Sequence, residues 1–376
     1  MVQIKFSEDF NEQPALIKVI GLGGAGGNAV NRMIESGLSH VEFIAANTDS
    51  QALRRNRAPV RLQLGERITK GLGVGGNPIL GRQATEESRD RIREVLTGAD
   101  MVFITAGMGG GTGTGSAPVV AQIARELDPK PLVVAVVTRP FDFEGQVRKN
   151  QGDQGIEELR PHVDTMLAIP NDRLFDIIDE STTSLEAFRT ADNVLRQAVQ
   201  AITDVITRHG LINVDFADVR SIMSGAGEAL MGMGESHGEG RALSAAKMAV
   251  QSPLLENLTI DGAKGLLVNI SGNKSITLFE VKTAMDFIKN AASADAHVFY
   301  GQVFDDALEE RFLVTVIATG FPPARRASAR RTGARPTATP ESVRAVAFRA
   351  PAGDAPLLDD DLRRPAYLRR KVRKLT

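Results

Sequence analysis

Apolar runs and amphipathic stretches alternate along the first half of the chain. "ALIKVIGLGG" (residues 15–24) is a short run, apolar but for Lys18, that ends in glycines, which predicts a buried strand entering a turn. "GNAVNRMIESG" (27–37) places Ala29, Met33 and Ile34 at helical spacing and is stopped by Gly37. "VEFIAANTD" (41–49) predicts the next strand, and "TEESRDRIREVLTG" (85–98) a helix with a charged face. The strand "ADMVFITAGM" (99–108), the helix "SAPVVAQIAREL" (116–127) and the strands "PLVVAVVTRP" (131–140) and "DTMLAIPND" (164–172) come next. Strands that are apolar throughout and separated by helices are covered on both faces, as in a parallel sheet.

From residue 184 to 209 the apolar positions Leu185, Phe188, Ala191, Leu195, Ala198, Ile202 and Val205 recur every three or four residues. That predicts one long helix joining two domains. Beyond it, "KGLLVNISG" (264–272), "HVFYGQVF" (297–304) and "RFLVTVIATG" (311–320) read as strands, with helices near 243–250 and 281–290. The expected fold is α/β: a Rossmann-like parallel-sheet domain over 15–183, a central helix over 184–210, and a smaller α+β domain over 211–321. An N-terminal extension (1–14) precedes them. Residues 322–357, which open with "PPARRASARRTGARPTATPES", are too poor in large apolar side chains to offset ordering entropy, so a disordered linker is expected. A short C-terminal peptide (358–376) regains Leu358, Leu362, Tyr367 and Leu368.

Composition narrows the chemistry. The chain has no cysteine, which excludes disulfides, thiolate catalysis and cysteine metal sites. No basic-then-apolar leader opens it, and no run reaches ~18 apolar residues, so a cytoplasmic protein is expected. The net charge of −1 conceals a division: residues 322–376 hold 14 Arg/Lys against 5 Asp/Glu, a basic tail on an acidic body.

Two glycine-rich turns come directly after apolar strands and open helices: "GLGGAGGNAV" (21–30) and "GMGGGTGTGSAPVV" (107–120). Backbone N–H groups at helix N-termini attract anions, and glycine lets phosphate oxygens approach the backbone closely. Thr112 and Thr114 add hydroxyl donors. Gly21, Gly23 and Gly26 fit G-x-G-x-x-G, the dinucleotide fingerprint. A nicotinamide-type oxidoreductase therefore stands as one reading, although the acid expected at the end of the second strand comes late, at Asp49. No G-x-x-x-x-G-K-[ST] is present, which excludes a P-loop NTPase.

The run "GGGTGTG" resembles the signature of the tubulin superfamily. "VIGLGGAGGNAVNRM", "AANTD", "ITKGLGVGGNP", "VVTRPFDFEG", "IPNDRL", "NVDFADVRSIM" and "SPLLE" narrow the resemblance to FtsZ, the family of bacterial cell-division GTPases. It covers residues 15–320 in family order. The resemblance implies GTP/GDP as ligand, with Mg²⁺ bridging phosphate oxygens and no assigned protein ligand. Gly24, Ala25, Gly26, Gly27 and Asn28 would contact phosphates and sugar. The residues Gly109, Gly110, Gly111, Thr112, Gly113, Thr114 and Gly115 would wrap the α- and β-phosphates. The loop 71–76, with Gly75, would sense the γ-phosphate. Glu144 and Arg148 would lie at the ribose, and Asn171 and Asp192 at guanine. Phe188 would stack on the base, although its place on the apolar stripe equally predicts a core residue.

Asp215 and Asp218 share one face of a helix start. Read alone, that is an N-cap and a dipole partner. The resemblance instead implies that both carboxylates, positioned with Asn213, orient the attacking water in the site of the next subunit of a head-to-tail filament. It further implies a mid-cell division ring on the inner face of the membrane. Leu362, Pro365, Tyr367, Leu368 and Arg369 resemble the family's tail peptide, which docks on membrane-tethering and regulatory division proteins. Arg363 stands where an acid is usual and Tyr367 where phenylalanine is. The basic tail also suits anionic lipid; no specific nucleic-acid partner is expected. A catalytically idle structural homologue is the remaining alternative.

Overall fold

In the computed structural model, residues 14–179, 181–208, 212, 214–255 and 260–321 are described. The described residues belong to one compact unit, and residues 325–376 lie outside them. The expected linker and tail peptide, with Leu362, Pro365, Tyr367, Leu368 and Arg369, therefore fall outside them, as does Asn213.

Among the described residues ten strands form a single sheet: β1 (Ile17–Leu22), β2 (Val41–Asn47), β3 (Val60–Gln63), β4 (Met101–Gly107), β5 (Leu132–Arg139), β6 (Thr165–Pro170), β7 (Gly227–Ser236), β8 (Gly265–Gly272), β9 (His297–Phe304) and β10 (Phe312–Thr319). Their spatial order is β3-β2-β1-β4-β5-β6-β7-β10-β8-β9. The first six are parallel, with Val19 opposite Phe43 on one side and Phe103 on the other. The helices are α1 (Gly23–Glu35), α2 (Ser50–Arg55), α3 (Glu66–Thr69), α4 (Pro78–Glu87), α5 (Arg89–Leu96), α6 (Thr112–Arg125), α7 (Gln146–Leu159), α8 (Ser184–Thr207), α9 (Phe216–Met223), α10 (Arg241–Val250) and α11 (Leu278–Ala291).

Strand β1 shows why its residues, Lys18 apart, are apolar. Ile17 and Val19 join a core with Met33 of α1 and Leu195 and Ala198 of α8. Ile20 and Leu22 point the other way, into a core with Ile92 and Leu96 of α5 and Val120 and Ile123 of α6. A third core lies between α10, α11 and the strands β8 and β10 of the smaller domain.

Strand β7 joins the two halves. It pairs parallel with β6 over three positions, Thr165 with Gly227, Met166 with Glu228 and Leu167 with Ala229. It then runs antiparallel to β10 from Leu230 to Ser236. No apolar run announces this strand, because glycines interrupt its apolar residues. The structure explains them: a Cβ on Gly232 or Gly234 would lie 2.0 Å or 2.1 Å from the carbonyls of Ala249 or Ala245, so α10 packs directly on the strand backbone.

Three local expectations are corrected. The helix expected over 85–98 is two helices, parted at Ser88. The Ser88 hydroxyl donates to the Ala84 carbonyl and accepts from the Gly65 N–H at 3.0 Å, a side-chain competition that breaks the helix. Helix α1 begins at Gly23, four residues before the expected start, inside the glycine turn itself. On α8 the apolar stripe has two destinations: Ala191, Leu195, Ala198, Ile202 and Val205 are buried, whereas Leu185 and Phe188 are 61% and 43% exposed. A capping box starts this helix, with the Thr183 hydroxyl accepting from Glu186 N–H and the Glu186 carboxylate from Thr183 N–H.

Candidate functional site

A cleft of ≈ 310 Å³ opens at the carboxyl ends of β1, β4, β5 and β6, where ligands bind in open α/β sheets. Both glycine turns reach it. Gly24 and Ala25 stand in the first turn of α1, and Gly110, Gly111, Thr112 and Gly113 lead into α6. Neither helix carries an acidic residue in its first turn, so both positive dipole ends remain available to an anion.

The glycines do two different things. A Cβ on Gly24 or Gly110 would meet nothing within 4 Å. These two leave their backbone open to a ligand. The others make room for the protein itself. A Cβ on Gly26 would lie 2.3 Å from the Thr105 carbonyl, on Gly113 2.6 Å from the Gly107 carbonyl, and on Gly115 2.1 Å from the Pro78 carbonyl. Gly111 is pressed against Val74 and the Asn77 backbone, and Gly109, at φ +96°, against the Arg148 carbonyl. The Thr114 hydroxyl is turned inward, accepting from the Gly109 N–H at 2.8 Å, so it holds the loop in shape. Thr112 lines the cleft, and its hydroxyl lies 2.7 Å from that of Thr48.

Some expected residues sit beside this cleft. Gly27 and Asn28 line an adjoining depression of ≈ 230 Å³, along with Gly23 and Gly24. Gly75 lines a separate ≈ 590 Å³ hollow with Thr114 and Gly115, behind the glycine loop. Asp49 is engaged elsewhere: its carboxylate caps α2, accepting from Gln51 N–H at 2.8 Å and Ala52 N–H at 3.3 Å. The acid that a dinucleotide fold would aim at ribose is thus committed to a helix start.

The other wall comes from β6, α8 and a 3-10 turn at Asp142–Glu144. Glu144 accepts from the Phe141 N–H at 3.0 Å and is ion-paired with Arg148. Asn171 is 5% exposed, and its side-chain Oδ1 has no hydrogen-bond partner. A buried amide oxygen without a partner costs free energy unless a ligand satisfies it. Burial pushes the Asp192 carboxyl up to about 7, against the Arg32 guanidinium, which lowers it. Phe188, for which the apolar stripe equally predicted a core position, lines the cleft and meets buried Phe141 edge-on at 5.5 Å. Sequence reasoning missed Thr138, Met108 and Pro140, which also line the cleft. Thr138 lies near the end of β5 opposite Gly107, so its place comes from sheet register, which no motif encodes.

Asp215 and Asp218 are elsewhere. Helix α9 sits at the amino-terminal end of the parallel strands: Arg220 donates to the Lys130 carbonyl, just before β5, and Thr165, the first residue of β6, donates to the Met223 carbonyl. The cleft is at the opposite end, roughly 25 Å away by the length of an eight-residue strand. Asp215 occupies the N-cap position of α9, yet its carboxylate makes no capping hydrogen bond. It is exposed and Asp218 is half-buried.

Among the described residues no group of three or more His, Cys, Asp or Glu could hold a metal ion, and no helix is long and apolar enough to cross a membrane.

The parallel sheet with its glycine-edged cleft is that of a tubulin-type GTPase domain: residues 16–179 match the GTPase domain of the tubulin/FtsZ family. Residues 227–322 match the FtsZ family's C-terminal domain. The chain belongs to the FtsZ family. A dimer of FtsZ from M. jannaschii, described as empty, is 43% identical with a TM-score of 0.79, over 82% of this chain and 89% of that one. A variant of the same protein is 44% identical, TM-score 0.78, over 82% and 92%. CetZ2 from Haloferax volcanii, solved as a GTPγS-bound protofilament, shares the fold at 21% identity and TM-score 0.69, over 83% and 95%. By family, then, this chain is a GTPase of cell division.

Proposed function

We propose that the cleft binds GTP and that hydrolysis takes place between successive copies of the chain in a head-to-tail filament. One observation carries this reading: Asp215 and Asp218 lie at the end of the sheet opposite the cleft, and the Asp215 carboxylate is unused by its own helix. A chain cannot bring these acids to its own cleft. A second copy stacked in the same orientation can. Contacts between unlike surfaces of identical copies propagate into open filaments. The M. jannaschii dimer and the CetZ2 protofilament are in keeping with such self-association.

In this reading the N–H groups around Gly24 and Gly110–Gly113 hold the α- and β-phosphates, and the loop 71–76 orders around the γ-phosphate. Asn171 and Asp192 meet the guanine edge, Phe188 packs on the base, and Glu144 with Arg148 borders the ribose. Mg²⁺, were it bound with the nucleotide, would supply charge neutralisation at the phosphates, and no protein ligand is assigned to it. The carboxylates of Asp215 and Asp218 from the next copy orient water in line with the γ-phosphorus. Losing that phosphate weakens the contact that formed the site.

The domain division into 15–183, 184–210 and 211–321 remains part of the proposal, as do the cytoplasmic location, the mid-cell ring, and the tail peptide as a dock for membrane-tethering partners. GTPase rate against protein concentration, with polymer pelleting in parallel, tests the reading. Specific activity should rise with concentration and plateau once polymer forms. A concentration-independent specific activity would show each chain to be complete by itself.

A further inference from the structure

Thr48 comes directly after the last residue of β2 and is fully buried. It is tied on two sides. Its carbonyl accepts from the Gly73 N–H and from the Thr69 hydroxyl, each at 3.3 Å, which joins it to the 71–76 loop and to the end of α3. Its hydroxyl lies 2.7 Å from the Thr112 hydroxyl, which joins it to the first turn of α6.

A pair of hydroxyls has a direction, and burial sets it here. A buried O–H must donate to something or lose a hydrogen bond's worth of free energy. Among the described groups the Thr48 hydroxyl has one partner, the oxygen of Thr112. Thr48 is therefore the donor of the pair. Thr112, whose oxygen is thereby occupied, keeps its own proton free, and Thr112 lines the cleft. An anion there can accept that proton. The two hydroxyls then form a chain, and each bond in such a chain polarises the next.

We infer that Thr48 is a positioning residue for phosphate binding: its buried hydroxyl donates to Thr112 and so turns the Thr112 proton toward a phosphate oxygen of the bound nucleotide. This rests on the guanine-nucleotide reading of the cleft. Thr48 never touches the ligand. It fixes the direction of a donor that does, and the two bonds to its carbonyl keep it from moving away.

The test is GDP affinity, measured by calorimetry on the full chain, since GDP avoids turnover. Thr48→Val keeps the shape and removes the donor, and should weaken GDP roughly fivefold, the share of one ordinary hydrogen bond. Thr48→Ser restores the donor and should bind as the wild type does. Thr112→Val should also weaken GDP, and Thr48→Val added to it should cost nothing further, because the relay then has no second member. A purely structural Thr48 predicts otherwise: a lowered melting temperature, with binding losses that multiply in the double variant. Wild-type affinity in Thr48→Val, or multiplying losses, overturns the relay. Should Thr48→Val fail to fold, Thr48→Cys, a weak donor of similar size, must fall between wild type and Thr112→Val, and wild-type binding there overturns the relay equally. A wild-type chain that binds no GDP removes the underlying reading as well, and that result does not depend on any Thr48 variant.

Discussion

Asn171 and Asp192 line one cleft from different elements, the 3-10 turn directly after β6 and the third turn of α8, and each is incomplete there: the amide oxygen lacks a donor and burial pushes the carboxyl up to about 7. Both want hydrogen-bond donors. The N1–H and 2-amino edge of guanine supplies donors of that kind to a carboxylate; adenine presents an acceptor where guanine has N1–H.

The cleft should therefore respond to pH. When it is empty Asp192 titrates at about 7, and donors from a bound base favour its charged form and lower that value. GTP affinity should be flat above about pH 7 and decline as pH falls below it, with proton release on binding. Calorimetry in buffers of different ionisation heat measures the proton directly. Asp192→Asn should flatten the profile.

The same shift acts on stability. The ordinary value is 3.8 and the folded value about 7, so the folded, empty protein holds a proton the unfolded chain has released. Stability from this group is present below the unfolded value and is lost as pH rises through about 7. Asp192→Asn should therefore raise the melting temperature of nucleotide-free protein at a pH about one unit above that value, by on the order of 2–4 kcal/mol in stability, while weakening GTP binding. A variant that is neither more stable nor a poorer binder would refute the assignment.

The glycines separate by the same logic. Gly110→Ala places a methyl in open space at the cleft and should leave the melting temperature within about 0.5 kcal/mol of wild type while reducing nucleotide affinity. Gly115→Ala drives a methyl onto the Pro78 carbonyl and should destabilise by about 1–3 kcal/mol or more. Thermal melts with and without GDP distinguish the two.

Asp215→Ala or Asp218→Ala should abolish most hydrolysis and leave GTP binding intact, with filaments that persist. Thr112→Arg should have the opposite defect. Mixing the two proteins should recover part of the activity, since the intact acids of one meet the intact cleft of the other. Should the aspartates matter only to α9, each variant would hydrolyse GTP normally.

Deleting residues 358–376 should leave GTPase activity and polymerisation roughly unchanged and remove adaptor or lipid binding. Failure to polymerise would make the tail part of the filament contact.

Much of the fold was legible because burial on both faces writes itself into β1, β4 and β5 as runs that are apolar but for single positions such as Lys18. The glycine turns marked the cleft for a similar reason, since few other uses justify so much lost backbone entropy. What the residues could not separate was a glycine facing a ligand from one facing a carbonyl. Gly110 and Gly115 look alike in a string and differ in what stands opposite. Strand β7 stayed hidden because its pattern answers to α10 more than to its own period. Phe188 was ambiguous because periodicity tells which side of a helix a residue is on, and the far end of that side is cleft wall.

The three-pair junction of β6 and β7 has a mechanical meaning. If copies stack with cleft against α9, tension along the stack enters one half of the sheet and leaves through the other. Backbone ladder crosses between the halves at three residue pairs, beside α8 and beside α9, which bonds to both Thr165 and Thr319. One hydrophobic core continues across the seam, from Val134 and Leu167 to Met231, Leu267 and Ile317, so a pulled or bent stack would twist at Gly227–Ala229 while that shared core keeps the two halves together.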